Sequence, residues 1–426
     1  MWADISQEDL GIYRSNWQQY ADHRYALQLR NEDGLPAVNV PLQLVDGQGS
    51  VLWRARTDAL GRAELWAHYF RQVSVAANGL RIECKVPNQR FSISAKPFTE
   101  GINTHEIKQD CRKKAEVDVA FVVDATGSMG DEIKYLQAEL LNVIGRVREE
   151  LPKANVRTGS VFYRDQGEEY LTRVSPFTAD TEKTDKFIGA QYANGGGDYP
   201  EAVEVALEAA LDELDWRSSA STRLLFLVLD APPHQAAENI KKLQVAVTRA
   251  AARGVQIIPV SCSGVDKNTE YLLRAMALAT NGTYTFVTDH SGIGNAHIEP
   301  STDSYDVAFL NDVLVRLTVS RSRLVTCDQP IALDENLPSP FLKTPVSGER
   351  NWTFYPNPSA GPVSLRYEEA EGNYYLFDAQ GKLLERFTAQ TSIERDWSHL
   401  ASGRYWIRHQ NAAGMWTQGQ LVLAAR

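Results

Sequence analysis

Five apolar runs constrain the fold of this 426-residue chain more than anything else in it: VDVAFVVD (117–124), VRTGSVFY (156–163), LLFLVLD (224–230), VQIIPVSC (255–262) and TYTFV (283–287). Strands covered by helices on both faces read as unbroken apolar runs, because neither face meets water. Ile133, Leu136, Leu140, Ile144, Val147 and Leu151 recur at helical spacing after the first run. Val203, Ala206, Leu207, Ala210, Leu211 and Leu214 do the same before the third. Strands alternating with amphipathic helices from about Ala115 to Ser322 predict a doubly wound α/β domain. Ligands of such sheets gather at the carboxyl ends of the strands, near the switch in strand order. Two of the runs end at that edge in a carboxylate, Asp124 and Asp230.

The flanks are β in character. YALQLR, NVPLQLVD, VLWRARTD, AELWAHY, LRIECKV and FSISA alternate apolar and polar residues between turn formers, which predicts a small β-sandwich over 25–110 behind an extension of residues 1–24. A Pro-rich linker spans 328–350, and VSLRYE, NYYLFD, LLERF, YWIRH and GQLVLA then predict a second small sandwich over 351–426. The expected fold is therefore β-sandwich, α/β domain (111–327), linker and C-terminal β-sandwich.

The segment FVVDATGSMGDEI carries the chemistry. Asp124, Thr126 and Ser128 follow one another at steps of two where the strand turns into a helix, putting three short oxygen ligands on one loop. Such a set suits a hard divalent cation, magnesium or calcium. The simpler alternative is a helix cap, with Ser128 or Asp131 bonding the first free N–H groups. Asp198, just ahead of Pro200, also fits a cap. A phosphoryl-accepting Asp124 is a third alternative. That chemistry wants an acid two residues on, where Thr126 stands, and Gly127-Ser128-Met129-Gly130 lacks the spacing of a nucleophile elbow. The expectation is a protein that is not an enzyme.

The central region resembles von Willebrand factor type A domains of the bacterial DxTGSM type, through Asp124–Met129, YRDQGEEY (163–170), NGGGDYPEAVEVAL (194–207), LLFLVLDAPPH, SCSGVD (261–266) and SGIGNAHIEP (291–300). The resemblance implies a metal-ion-dependent adhesion site with Asp124, Thr126 and Ser128 on the first loop, Asp198 on the second and Asp230 on the third. Asp198 stands where many members of the wider family have Thr. If all three aspartates bound directly, a divalent ion would carry a local charge of about −1, weakening its pull on an acidic partner. An ion pair between Arg164 and Asp165 is expected to brace the site loop, and His234, His290 and His297 are expected to be surface residues.

DGLPAVNVPLQLVDGQGSVLWRARTDALGRAELW (33–66) resembles carboxypeptidase-regulatory or transthyretin-like modules, notably in Thr57-Asp58 followed by Gly61, which implies a spacer. FYPNPSAGPVSL (354–365), YYLFDAQGKLL (374–384), DWSHLASGRYWIRH (396–409) and GQLVL (419–423) resemble the C-terminal sorting domain of type IX secretion cargo in Bacteroidetes. That resemblance implies contact with the secretion machinery through 351–426, removal of the domain at maturity, and a place outside the cell or on the outer-membrane surface. The partners implied are a protein or surface glycan offering an oxygen ligand to the metal. The alternative is a structural part of a surface or secretion assembly in which the metal only holds loops.

A formal charge of −10, with no large Lys/Arg cluster, argues against a nucleic-acid partner. No window has the length of apolar sequence that a spanning helix needs. The start, MWADISQEDLG, lacks the basic and apolar regions of a signal peptide. Of four cysteines, Cys111 and Cys327 bracket the central region and are expected to form a disulfide tying its ends, with free buried thiols as the alternative.

Overall fold

The computed structural model describes residues 5–73, 79–86, 89–110, 114–262, 264–287, 310–324, 352–357, 359, 361–367, 372–377, 383–389, 392–398, 400, 403–411 and 416–423. Cys111, Cys327, His290, His297 and the SGIGNAHIEP segment lie outside these residues. The chain divides into two compact units, Met1–Ala332 and Leu333–Arg426.

The first unit opens with α1 (Gln7–Trp17), whose first turn is capped by the Ser6 hydroxyl accepting from the Asp9 N–H. Seven strands follow: β1 (Arg24–Asn31), β2 (Pro41–Val45), β3 (Val51–Arg56), β4 (Arg62–Trp66), β5 (Arg81–Val86), β6 (Gln89–Ser94) and β7 (Asn103–Ile107). They form two sheets, ordered β4-β1-β7 and β3-β2-β5-β6, whose apolar faces share a core of Leu27, Leu29, Leu65, Leu42, Leu44 and Ile82. Strand β7, NTHEI, carries too few apolar residues to show in the sequence pattern, and it enters by pairing parallel to β1.

The α/β part comprises β8 (Glu116–Asp124), α2 (Gly130–Glu150), β9 (Asn155–Tyr163), β10 (Thr172–Thr178), α3 (Thr181–Gly189), α4 (Val203–Asp212), β11 (Thr222–Leu229), α5 (Ala237–Arg253), β12 (Val255–Ser261), α6 (Lys267–Ala279), β13 (Thr285–Phe286) and α7 (Leu310–Ser322). The sheet order is β10-β9-β8-β11-β12-β13, parallel except for β10. All five apolar runs are strands of this sheet. Edge strand β10 was not foreseen, because it is half exposed, contains Pro176 and is bulged, so it shows no buried run. Side chains alternate between two cores. Val119, Phe121, Val123, Phe226 and Val228 pack with α2 and α7 on one face, while Val122, Leu225, Leu227 and Leu229 pack with α4, α5 and α6 on the other.

The N-terminal sandwich is not a free spacer. It belongs to the same compact unit as the α/β sheet and shares the core of α4, α5 and α6. Tyr69 donates its hydroxyl to Ala275 O and Tyr271 donates to Gln19 O, both at full burial. Trp17, at the end of α1, donates its indole N–H to Asn268 O. The Thr57-Asp58…Gly61 turn faces this junction: Asp58 Oδ1 accepts from Leu60 and Arg62 N–H, and Asp58 Oδ2 accepts from the Asn281 amide. Helix α6 is buried nearly all round, so an α/β sheet without the sandwich would leave part of it in water.

In the C-terminal unit, strands Trp352–Tyr355, Pro362–Tyr367 and Ser392–Asp396 form one sheet; Gly372–Phe377, Leu383–Ala389, Gly403–Asn411 and Trp416–Leu423 form the other. Trp352, Leu365, Tyr374, Leu376, Trp397, Ile407 and Leu421 fill a common core. Among the described residues no helix is long and apolar enough to cross a membrane.

Candidate metal centre

Chain order fixes where a site can form. After β8 the chain runs outward to β9 and β10, then returns to the other side of β8 for β11 and continues to β12. The switch point therefore lies at the carboxyl ends of β8 and β11, where Asp124 and Asp230 stand.

Asp124, the last residue of β8, is fully buried. Its Oδ1 accepts from the Thr126 N–H at 2.9 Å and from the Thr126 hydroxyl at 2.7 Å. Its Oδ2 has no hydrogen-bond partner. Asp118, at the other end of the same strand, shows what a structural acid looks like here. It is equally buried, but the Arg157 and Arg217 guanidiniums both donate to it. Among the described residues no Lys or Arg pairs with Asp124, Asp230 or Glu201. A buried carboxylate without a cation costs several kcal/mol unless it takes up a proton or an ion.

Asp230 follows β11 and is also buried, with Oδ1 lacking a partner. Burial raises its pKa, and the Ser128 hydroxyl facing it opposes the rise. Burial, then the charge of Asp230, pushes Asp124 up to about 7. Ser128 is exposed on a 3₁₀ turn, Gly127–Met129, that enters α2, and no side chain caps the helix. The capping reading of Ser128 and Asp131 is thereby excluded. Asp198 is no cap either, because α4 starts only at Val203 behind Ala202.

Glu201 completes the acidic cluster and was missed by sequence reasoning. Only 3% of it is exposed, its Oε2 has no partner, and burial followed by the charges of Asp124, Asp165, Asp230 and Asp198 lifts it to about 9. Its backbone N–H donates to Pro232 O, tying the loop before α4 to the loop after β11. The Tyr163 hydroxyl is buried among Asp124, Asp230 and Glu201, whose charges add to burial in raising its pKa. It approaches Asp124 without completing a hydrogen bond.

The structure thus gathers Asp124, Thr126, Ser128 and Asp230 in one place. Asp198 is exposed and lies with Asp165 and His234. Asp165 does not pair with Arg164; its Oδ1 accepts from Nε2 of the half-buried His234 at 2.9 Å. Arg164 braces the site by another route. Wholly buried, it donates to Ala125 O at 3.1 Å, Tyr192 O at 3.0 Å and Glu169 at 3.2 Å, and lies over the rings of Tyr170 and Tyr192.

The glycine loop is pinned against the first loop by Asn194 N–H to Ala125 O and Gly127 N–H to Gly195 O. Gly195 has φ +82°, and a Cβ there would stand 1.9 Å from Glu168 Oε2, while Glu168 Oε1 accepts from the Gly196 N–H. Gly195→Ala is therefore expected to cost about 1–3 kcal/mol and to weaken cation binding. Chemical unfolding together with a metal titration of the variant checks both effects.

The von Willebrand factor type A domain family matches residues 118–297. The secretion system C-terminal sorting domain family matches residues 353–423. Among curated proteins, an ariadne-like RING finger protein of Acanthamoeba polyphaga mimivirus is 31% identical over 121 residues, 28% of this chain and 12% of that protein. The alpha-protein kinase vwkA of Dictyostelium discoideum is 28% identical over 120 residues, 28% of this chain and 19% of that protein. The chain thus spans less than a fifth of the length of these relatives. Among solved structures, the conserved hypothetical protein BatB from Bacteroides thetaiotaomicron is 16% identical, with a TM-score of 0.28 over 41% of this chain and 90% of that one. An aerotolerance-related membrane protein from Bacteroides fragilis is 14% identical, with a TM-score of 0.30 over 48% and 98% of the two chains. The α/β part is thus similar to type A domains, and the C-terminal unit to secretion system sorting domains.

Proposed function

We propose that this protein is a secreted or surface-attached binding protein that holds a divalent cation, magnesium or calcium, at Asp124, Thr126, Ser128 and Asp230 and meets an oxygen ligand of its partner there. The supporting observation is the pair of buried carboxylate oxygens, Asp124 Oδ2 and Asp230 Oδ1, that lack both hydrogen-bond donors and basic partners. Two carboxylates and two hydroxyls fit a hard dication and balance its charge. The concern that three aspartates would overcharge the site eases, because Asp198 stands with Asp165 and His234. Glu201, raised to about 9, is neutral at pH 7 in the metal-free protein. A cation so balanced keeps its attraction for an acidic or carbonyl oxygen.

Exposed Ser128 and the exposed Tyr192 and Tyr199 put the site at the surface, where a protein or glycan can reach it. The type IX machinery is the second partner, through residues 351–426. Binding to outer-surface fractions is expected to be lost with chelator, restored by magnesium or calcium, and absent in Asp124→Ala. Equal binding by wild type and variant with and without chelator would leave the cation a loop-holding role only.

A further inference from the structure

Beside the first site lies a second constellation of different chemistry. Asp165 follows β9 by two residues, His234 follows β11, and Asp198 lies in the glycine loop before α4. One ligand atom from each lies within 4.8 Å of the others. His234 Nε2 and Asp165 Oδ1 are in hydrogen-bond contact at 2.9 Å, so an imidazole nitrogen and a carboxylate oxygen already face each other. The loops are fastened before any ion arrives, since Glu201 N–H donates to Pro232 O and Glu201 pairs with Pro233 in a parallel bridge.

A second observation points to a ligand. Glu201 is almost wholly buried, its Oε2 has no partner, and its carboxyl sits within the fields of Asp165 and Asp198 as well as of Asp124 and Asp230. Its carboxyl thus feels the charges of both groups and keeps an oxygen without a partner. The first group offers only oxygen. The second adds an imidazole nitrogen, which suits zinc, iron or nickel and is not a donor that magnesium or calcium prefers.

We infer that Asp165, Asp198 and His234 form a second cation site, specific for a transition metal such as zinc, with Glu201 placed to lend its free oxygen. Two sites of unlike donor sets would let the surface protein hold its adhesion cation while a transition ion fixes the glycine loop. Asp198 is then a ligand, as its position in the chain suggests, but of the neighbouring ion.

The test is a titration of metal-free full-length protein with zinc, and separately with magnesium and calcium. Cobalt serves as a spectroscopic probe, because the buried thiols Cys84 and Cys262 would betray themselves by a sulfur-to-cobalt charge-transfer band. Wild type is expected to bind one zinc with no thiolate band. His234→Gln and Asp165→Asn are each expected to weaken zinc at least tenfold while leaving the magnesium or calcium isotherm unchanged. Asp124→Ala is expected to do the reverse, so failure of one site does not mimic failure of the other. Zinc affinity equal in wild type, His234→Gln and Asp165→Asn would overturn the inference, as would a thiolate signature or no zinc binding at all.

Discussion

In the presence of chelator, Asp124→Asn should melt at a higher temperature than wild type, and in saturating magnesium or calcium the order should reverse. The first half follows from like charges in a dry place. Asp124 is fully buried, and burial together with Asp230 raises it from 3.8 to about 7. Glu201 is raised from 4.5 to about 9. A carboxyl with a raised folded-state pKa keeps its proton in the native state at a pH where the unfolded chain has released it. The unfolded chain then binds fewer protons, so stability falls as pH rises. The fall should begin near pH 4, where the unfolded carboxyls ionise, and end near pH 9, where Glu201 is ionised in the folded state too. For Asp124 alone the loss is on the order of 4 kcal/mol. Asparagine removes that charge, and its carbonyl oxygen still accepts the two bonds from Thr126. The second half follows from what the carboxylate is for, since a dication binds the charged form and asparagine is a far poorer ligand. Thermal melts of the first unit's transition from pH 5 to 9, with and without cation, measure both halves. A wild type that stays flat with pH and gains nothing from cation would refute the electrostatic account.

The second large effect should come from Arg164→Ala. This wholly buried guanidinium joins the end of β9 to the first loop through Ala125 O and to the glycine loop through Tyr192 O, and it neutralises Glu169. Removing one partner of a buried, hydrogen-bonded charge typically costs about 3–5 kcal/mol. Half-exposed Glu169 tempers that figure, because water can take over its charge. Lysine keeps the charge but has no planar fork to reach three acceptors, so Arg164→Lys should fall between wild type and alanine. Urea unfolding followed by tryptophan fluorescence reads the stability, and cation affinity should drop in the same order. An Arg164→Ala protein that matched wild type in both would show that the two loops hold each other without it.

How much of this was legible in the sequence follows from how each residue is placed. Asp124 and Asp230 end unbroken apolar runs, so burial and position at the sheet edge could be read together. Helix α2 was equally plain, because its apolar residues repeat over six turns and Ile133, Leu136, Leu140, Ile144 and Val147 are all buried. Strands β7 and β10 escaped because edge pairing needs no apolar run. Glu201 escaped for a different reason: its loop is joined to Pro232 by a backbone bond, a contact between loops about thirty residues apart that no periodicity records. The second cluster left a faint trace, since Asp165 and His234 each follow a buried strand by a few residues, but their meeting depends on β9 and β11 flanking β8. Docking of the N-terminal sandwich could not be read either. Trp17, Tyr69 and Tyr271 are as consistent with a core inside each domain as with the junction they fill.

The central claim is that the buried acids at the switch point hold a divalent cation, and calorimetric titration of chelator-treated full-length protein tests it most directly. Wild type should give saturable heats near one equivalent with magnesium or calcium, and Asp124→Ala should give none. Heats that are absent in wild type, or equal in both proteins, would contradict it.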